Sequence, residues 1–230
     1  MKTIAFFNVK GGVGKTTAAA EAAIYAELIL EANVIAIDTD INASFLDYAY
    51  DREQKHDLPY PLVTGHVQSN IDRMIKSLRS KGEYDYCVID CHGDYDQLDK
   101  NLMYEADLIV IPVIMDIKNV RPTIKVITEK ILPIVDEREG ELDYAIMINN
   151  LNKRYGDSER SLIKLLEQSN LNIMKERLLK HQAKFRDVWE AGFTVIESGH
   201  YKTDPAYENA FLNTRNVVKE IFTRVNKNGN

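Results

Sequence analysis

The chain has 230 residues, 45% of them hydrophobic and 28% charged, with a formal net charge of −6. That length suits a single α/β domain with a sizeable core, and the composition is that of a globular protein. No apolar run approaches the roughly 18 residues of a membrane span, nothing near Met1 has the layout of a signal peptide, and Cys87 and Cys91 lack the C-x-x-C spacing of a metal or redox pair. The expectation is a cytoplasmic protein whose two cysteines are buried as small apolar residues.

In chain order, an apolar strand over residues 3–9 leads into a helix from about 16 to 31. Between them lies Val9-Lys10-Gly11-Gly12-Val13-Gly14-Lys15-Thr16-Thr17, with three glycines in four residues. So much glycine would be costly inside either element. It suits a loop whose backbone N–H groups approach an anion at a helix N-terminus. Lys15 then supplies charge for β/γ-phosphates, and the Thr16 hydroxyl is the expected Mg²⁺ ligand. The plain alternative is a tight strand-to-helix turn with a chance lysine. A dinucleotide fingerprint, G-x-G-x-x-G, is disfavoured because it would need glycine at Thr17.

The loop departs from G-x-x-x-x-G-K-[ST] by placing Val9 at the first glycine and adding Lys10. Lys10 through Thr17 resembles the deviant Walker A motif of the ParA/MinD family. That resemblance implies a three-layer α/β/α P-loop NTPase fold with a mostly parallel twisted sheet. It also implies ATP and Mg²⁺ as cofactors, nucleotide contacts from Lys10, Gly11, Gly12, Val13, Gly14, Lys15, Thr16 and Thr17, and catalytic roles for Lys10 and Lys15. Lys10 would reach across a homodimer to the nucleotide of the other subunit.

The first helix is apolar nearly all round and rich in alanine, as suits close packing on a sheet. Asn33 is expected to end it in a left-handed conformation. Residues 34–37 form a short apolar run that suits a buried parallel strand, followed by Asp38-Thr39-Asp40-Ile41-Asn42. Ligands of open α/β sheets sit beyond the carboxyl ends of strands, so both aspartates are expected to face the phosphate loop. Carboxylates there can hold Mg²⁺ or orient a water molecule. The segment resembles the family's switch I, D-x-D-P-Q, which puts Asp40 at the hydrolytic position, while Ile41 and Asn42 depart from the pattern. Asp40 also suits the N-cap of a helix over residues 43–50.

A polar connection over residues 51–67 contains a short strand near 62–64. Ile71, Met74, Ile75 and Leu78 mark an amphipathic helix that Gly82 stops. Residues 86–90 form a strand ending in Asp90, the pattern in which a carboxylate orders Mg²⁺, so Thr16, Asp40 and Asp90 are the candidate metal residues. Cys91-His92-Gly93-Asp94 falls at the family's switch II, with Gly93 as a pivot and His92 expected to face solvent. Residues 108–113 are another buried strand, followed by a helix with Pro122 near its start. Residues 145–148 form a strand that ends at Asn149-Asn150. The family resemblance makes Asn149 the adenine reader. Strands alternating with helices give a mostly parallel sheet covered on both faces, in one domain.

The charge is unevenly spread. Residues 1–150 carry 15 Lys/Arg against 25 Asp/Glu, whereas residues 151–230 carry 14 against 10. This permits an anionic partner on the C-terminal side, with Lys153, Arg154, Lys175, Arg177, Lys180, Lys184 and Arg186 as DNA-binding candidates; a solvated basic face is the alternative. Helices are expected around Leu162–Leu166 and over residues 184–191, and Asp204-Pro205 opens a final helix with one apolar face. Its charge pattern argues against a membrane-seeking role. Within the family the short chain resembles the plasmid-partition ParA proteins. That resemblance implies a slow ATPase that dimerises on ATP, binds duplex DNA without sequence preference at the nucleoid, and is stimulated by a centromere-binding, ParB-like adaptor. A MinD-like positioning ATPase at a membrane, a conjugation-associated ATPase of a mobile element and a metabolic P-loop enzyme remain open at this point.

Overall fold

The computed structural model describes residues 1–65, 70–94, 97–198 and 204–227. Its first half runs β1 (Lys2–Phe6), α1 (Lys15–Ile29), β2 (Val34–Asp38), α2 (Ser44–Glu53), β3 (Leu62–Thr64), α3 (Ile71–Lys81) and β4 (Tyr86–Asp90). The second runs α4 (Gln97–Glu105), β5 (Leu108–Ile114), α5 (Ile117–Val126), α6 (Leu132–Glu137), β6 (Asp143–Asn149), α7 (Asp157–Gln168), α8 (Gln182–Glu190) and α9 (Pro205–Lys227). Every strand pairing is parallel, in the order β3-β2-β4-β1-β5-β6.

The strands read as unbroken apolar runs because helices cover both faces of the sheet. Ala5, Ile37, Ile89 and Ile111 point to one layer, with Ile71, Leu102, Ile131 and Leu166. Ile4, Ala36, Val88 and Val110 point to the other, which is filled by α1 and α9. In α1, Ala18, Ala19, Ala20, Ala22, Ala23 and Ala26 are all buried, so small side chains let that helix lie close to the sheet. The expected apolar face of α9 docks there, with Phe222 stacked on Tyr25 at 5.5 Å between ring centroids. The result is a three-layer α/β/α P-loop NTPase fold. The carboxyl ends of β1, β2 and β4 meet beside the glycine loop, where such sheets place ligands.

Several local expectations are corrected. α1 ends at Ile29, and the left-handed residue after it is Glu31, not Asn33. α4 is an additional helix that covers β1 and α3, with only Asp99, Leu102 and Met103 buried. Pro122 lies in the interior of α5, whose start is capped instead by Asp116 accepting from the Lys118 N–H at 2.7 Å. A π-helical turn, Ile127–Ile131, joins α5 to α6 directly before Pro133, whose ring and missing N–H interrupt regular helix. Cys87 and Cys91 are buried free thiols, as expected.

Candidate nucleotide and cation site

The glycine loop is pinned at its root before it reaches any ligand. Asn8, fully buried, donates from Nδ2 to the Pro112 carbonyl at 2.7 Å and to Thr123 Oγ1 at 3.0 Å, and its Oδ1 accepts from the Lys10 N–H at 3.1 Å. The loop is therefore tied to β5 and α5 by one side chain. Gly14 enters α1 at φ +94, and Lys15 and Thr16 form the first helical turn. Lys15 is largely buried, and among the described residues no carboxylate lies within ion-pair distance of it. A buried ammonium with no anion beside the N-terminus of a helix is a strong attractor for phosphate.

Thr16 Oγ1 donates to Asp90 Oδ2 at 2.6 Å. Asp90 is inaccessible to solvent, and its Oδ1 has no hydrogen-bond partner. Burial pushes its carboxyl up from 3.8 to about 7, against the lowering effect of the Thr16 bond. An orphaned carboxylate oxygen beside a hydroxyl is an expensive arrangement that a divalent cation would relieve. The residues present therefore fit Mg²⁺, with Thr16 and Asp90 as its holders. When bound, the ion would neutralise charge on β- and γ-phosphate oxygens.

Asp38 and Asp40 divide their expected roles differently from the sequence reading. Asp38 is paired in register with Asp90 and is buried; its carboxylate accepts from the N–H groups of Asp40 at 2.8 Å, Phe45 at 3.0 Å and Leu46 at 3.1 Å. Asp38, not Asp40, thus satisfies the first amides of α2, whose cap position is held by Ala43 at φ +53. Asp40 is only half-buried and accepts from the backbone and side chain of Asn42 at 2.8 and 2.9 Å. It touches neither Thr16 nor Asp90, but its charge contributes to the field that raises Asp90. Both of those bonds fall on Oδ1, so Oδ2 is the oxygen of Asp40 suited to orienting a reactant. Gly93 sits against the loop, and a Cβ there would lie 3.4 Å from Lys15 Nζ. His92 does not face solvent as expected: its side chain is only 14% exposed, with Nδ1 3.5 Å from Asp99 and Nε2 3.4 Å from Asp94.

Asn149 donates from Nδ2 to the Val13 carbonyl at 2.6 Å, closing the far wall of the loop. Beyond it is a cleft of about 230 Å³ lined by Gly12, Thr17, Ile114, Leu179, His181 and Phe185. The last three come from the C-terminal third and were not anticipated. His181 Nε2 is buried there with no partner, and burial, then the Lys153 charge, holds the imidazole below its ordinary range. A neutral ring with a spare nitrogen in an apolar cleft beside Asn149 can accept or donate to the edge of a heterocycle. No sequence pattern marks it, because residues 178–181 reach the site through bonds to β6 and to Leu151, Leu178 N–H to Ile148 and Lys180 N–H to Leu151.

The seven basic candidates differ in their pairing. Arg177 is paired with Glu167, Lys184 with Asp204, and Arg186 with Asp187 and Glu190. Lys153, Arg154, Lys175 and Lys180 have no ion pair among the described residues. Lys180 lies beside the loop after β6 that carries Lys153 and Arg154, since its N–H bonds to the Leu151 carbonyl at 2.8 Å. Lys175 stands apart, in a groove with Asp143 and Glu220.

Comparison with known families supplies the remaining observation: the family model described as VirC1 protein matches residues 1–227. The chain belongs to the VirC1 family. No curated protein matches it. This VirC1-family chain is similar in structure to an ATP complex of a McdA variant from Cyanothece, at 17% identity and TM-score 0.71, covering 96% of each chain. It is also similar to a plasmid partition protein from Borrelia burgdorferi bound to AMPPNP, at 20% identity and TM-score 0.68, covering 96% of this chain and 98% of that one. MinD in the MinC:MinD cell division complex of Aquifex aeolicus aligns at 18% identity and TM-score 0.71, covering 97% and 96%. These likenesses show the fold alone, one shared with these McdA, plasmid partition and MinC:MinD structures. No described helix is long and apolar enough to cross a membrane.

Proposed function

We propose that this VirC1-family protein is a slow Mg²⁺-dependent ATPase that passes from monomer to ATP-bound homodimer and acts on DNA in conjugation-associated transfer of a mobile element. The observation that carries the nucleotide reading is the Thr16–Asp90 contact with its orphaned Asp90 Oδ1, beside Lys15, which has no ion pair among the described residues. Lys15 and the loop amides grip the phosphates, Thr16 and Asp90 hold the cation, and the cleft beyond Asn149 takes the base. Asp40 orients the water that attacks the γ-phosphorus, the ADP oxygen leaving opposite. Lys10, half-buried with no ion pair among the described residues, serves the nucleotide of the second subunit. The family match favours the conjugation-associated reading over partition with a centromere-binding adaptor.

The test is phosphate release from Mg²⁺-ATP, with nucleotide affinity measured in parallel. Asp40→Ala is expected to keep its affinity within about twofold while losing turnover by 10²-fold or more, the order seen when a positioned proton acceptor is removed. Turnover equal to the parent's sinks the assignment of Asp40. Cosedimentation with plain duplex DNA, compared with anionic liposomes, separates the DNA-handling role from a membrane-positioning one.

A further inference from the structure

A second feature lies on the outer side of α2, away from the phosphates. There α2 and residues 58–62 enclose an open groove of about 750 Å³. Leu46, Tyr50, Leu58 and Pro59 supply its apolar surface, and Asp47 and Glu53 stand on its rim. Tyr50 is 66% exposed, so most of its ring is open to a partner.

The charge around the groove is one-sided. Asp47 and Glu53 are exposed, and among the described residues they have no ion pair and no Lys, Arg or His lines the groove. The two basic side chains of the neighbouring sequence are turned elsewhere. Arg52 is buried in its pair with Glu197, and Lys55 Nζ donates to the Glu190 carbonyl at 2.6 Å. An apolar, aromatic floor inside an unbalanced negative rim repels DNA and anionic lipid. It also disfavours a second copy docking face to face, since each would bring the same carboxylates to the contact.

We propose that this groove docks a short basic, apolar-bearing segment of a partner protein, with Leu- or Trp-type side chains seated against Tyr50, Leu46 and Leu58 and flanking Lys or Arg facing Asp47 and Glu53. An exposed tyrosine in a concave patch is the kind of residue that anchors such contacts. The groove is also placed to sense the nucleotide site. The Asp38 carboxylate that lies in register with Asp90 holds the Leu46 N–H, and Leu46 opens the groove. The docking claim does not depend on hydrolysis and is measured without it.

The experiment is fluorescence anisotropy of the full chain with three labelled peptides: one alternating Lys/Arg with Leu and Trp, one with the basic residues replaced by Glu, and one with the apolar residues replaced by Ser. Only the first is expected to bind. Tyr50→Ala and the double variant Asp47→Lys/Glu53→Lys should each weaken it by about tenfold or more, the scale of an anchor residue. Asp51→Lys, exposed on the same helix but outside the groove, should change it by less than about twofold. The proposal is overturned if the Lys/Ser peptide binds equally well, or if the groove variants bind like the parent. It is equally overturned if Asp51→Lys weakens binding as much as they do, or if Tyr50→Ala instead dissolves a self-associated form that the peptide does not compete with.

Discussion

Gly14 and Gly93 show how tightly the loop is built at the level of single atoms. Both have positive φ, and a Cβ would fall 2.2 Å from Asn149 Nδ2 at Gly14 but 2.3 Å from the Asn8 carbonyl oxygen at Gly93. An amide side chain can swing aside; a strand-end carbonyl cannot. Gly93→Ala is therefore expected to cost about 1–3 kcal/mol, combining strain with a backbone clash. A urea midpoint unchanged from the parent would contradict the close approach of this segment to the loop. The glycines and Lys15 were legible because their chemistry is local to nine consecutive residues. The division of labour between Asp38 and Asp40 was not, because both carboxylates suit a cap and only the turn at Ala43 decides which one reaches the α2 amides. His181 was illegible for a different reason: nothing around it in the chain predicts that it lines the same cleft as Asn149.

Among the elements, α1 is held from behind by a buried carboxylate. Glu21 is 1% exposed and accepts from the N–H groups of Val195 at 2.7 Å and Ile196 at 3.0 Å. Arg52 of α2 pairs with Glu197 and donates to the Gly192 carbonyl at 3.0 Å, so residues 192–197 brace both the helix of the phosphate loop and the helix after Asp40. Burial is the largest influence on Glu21 and raises its carboxyl from 4.5 to about 8. The folded state then holds a proton that the unfolded chain releases between those values, so this group's contribution to stability is full below pH 4.5 and is lost as pH rises to about 8. At about 1.4 kcal/mol per pH unit, the loss is of order a few kcal/mol. Glu21→Gln keeps a carbonyl acceptor for only one of the two amides but cannot titrate, so whatever stability it retains should fall less steeply over that window. Parallel profiles in urea unfolding would show that Glu21 does not carry the proton. The strands were readable because burial on both faces makes them unbroken apolar runs. α4 was not, because its nine residues bury only Asp99, Leu102 and Met103 and its helical state is set by packing on α3 and β1.

Over the whole molecule, a net charge of −6 coexists with basic groups near the nucleotide cleft that have no ion pair among the described residues. Lys180 is bonded through its N–H to the loop that carries Lys153 and Arg154, and the Lys153 charge is felt at His181, whereas Arg177, Lys184 and Arg186 are balanced by carboxylates. Composition revealed the basic bias of the C-terminal third; which charges survive pairing depends on contacts within α8 for Arg186 and on carboxylates 10 to 20 residues away for Arg177 and Lys184. If three side chains from each of two subunits meet the backbone of DNA, log affinity should fall against log salt with a slope near −5, at about −0.9 per phosphate. Reversing Lys153, Arg154 and Lys180 together should flatten that slope, while reversing Lys184 and Arg186 should not; the opposite pattern would move the contact surface. The central claim is that nucleotide at the glycine loop joins two copies through Lys10. Sedimentation velocity with Mg²⁺ and a non-hydrolysed ATP analogue tests it most directly. The parent should shift from monomer to dimer and Lys10→Ala should bind the analogue yet stay monomeric; a parent that stays monomeric, or a variant that dimerises equally well, would contradict it.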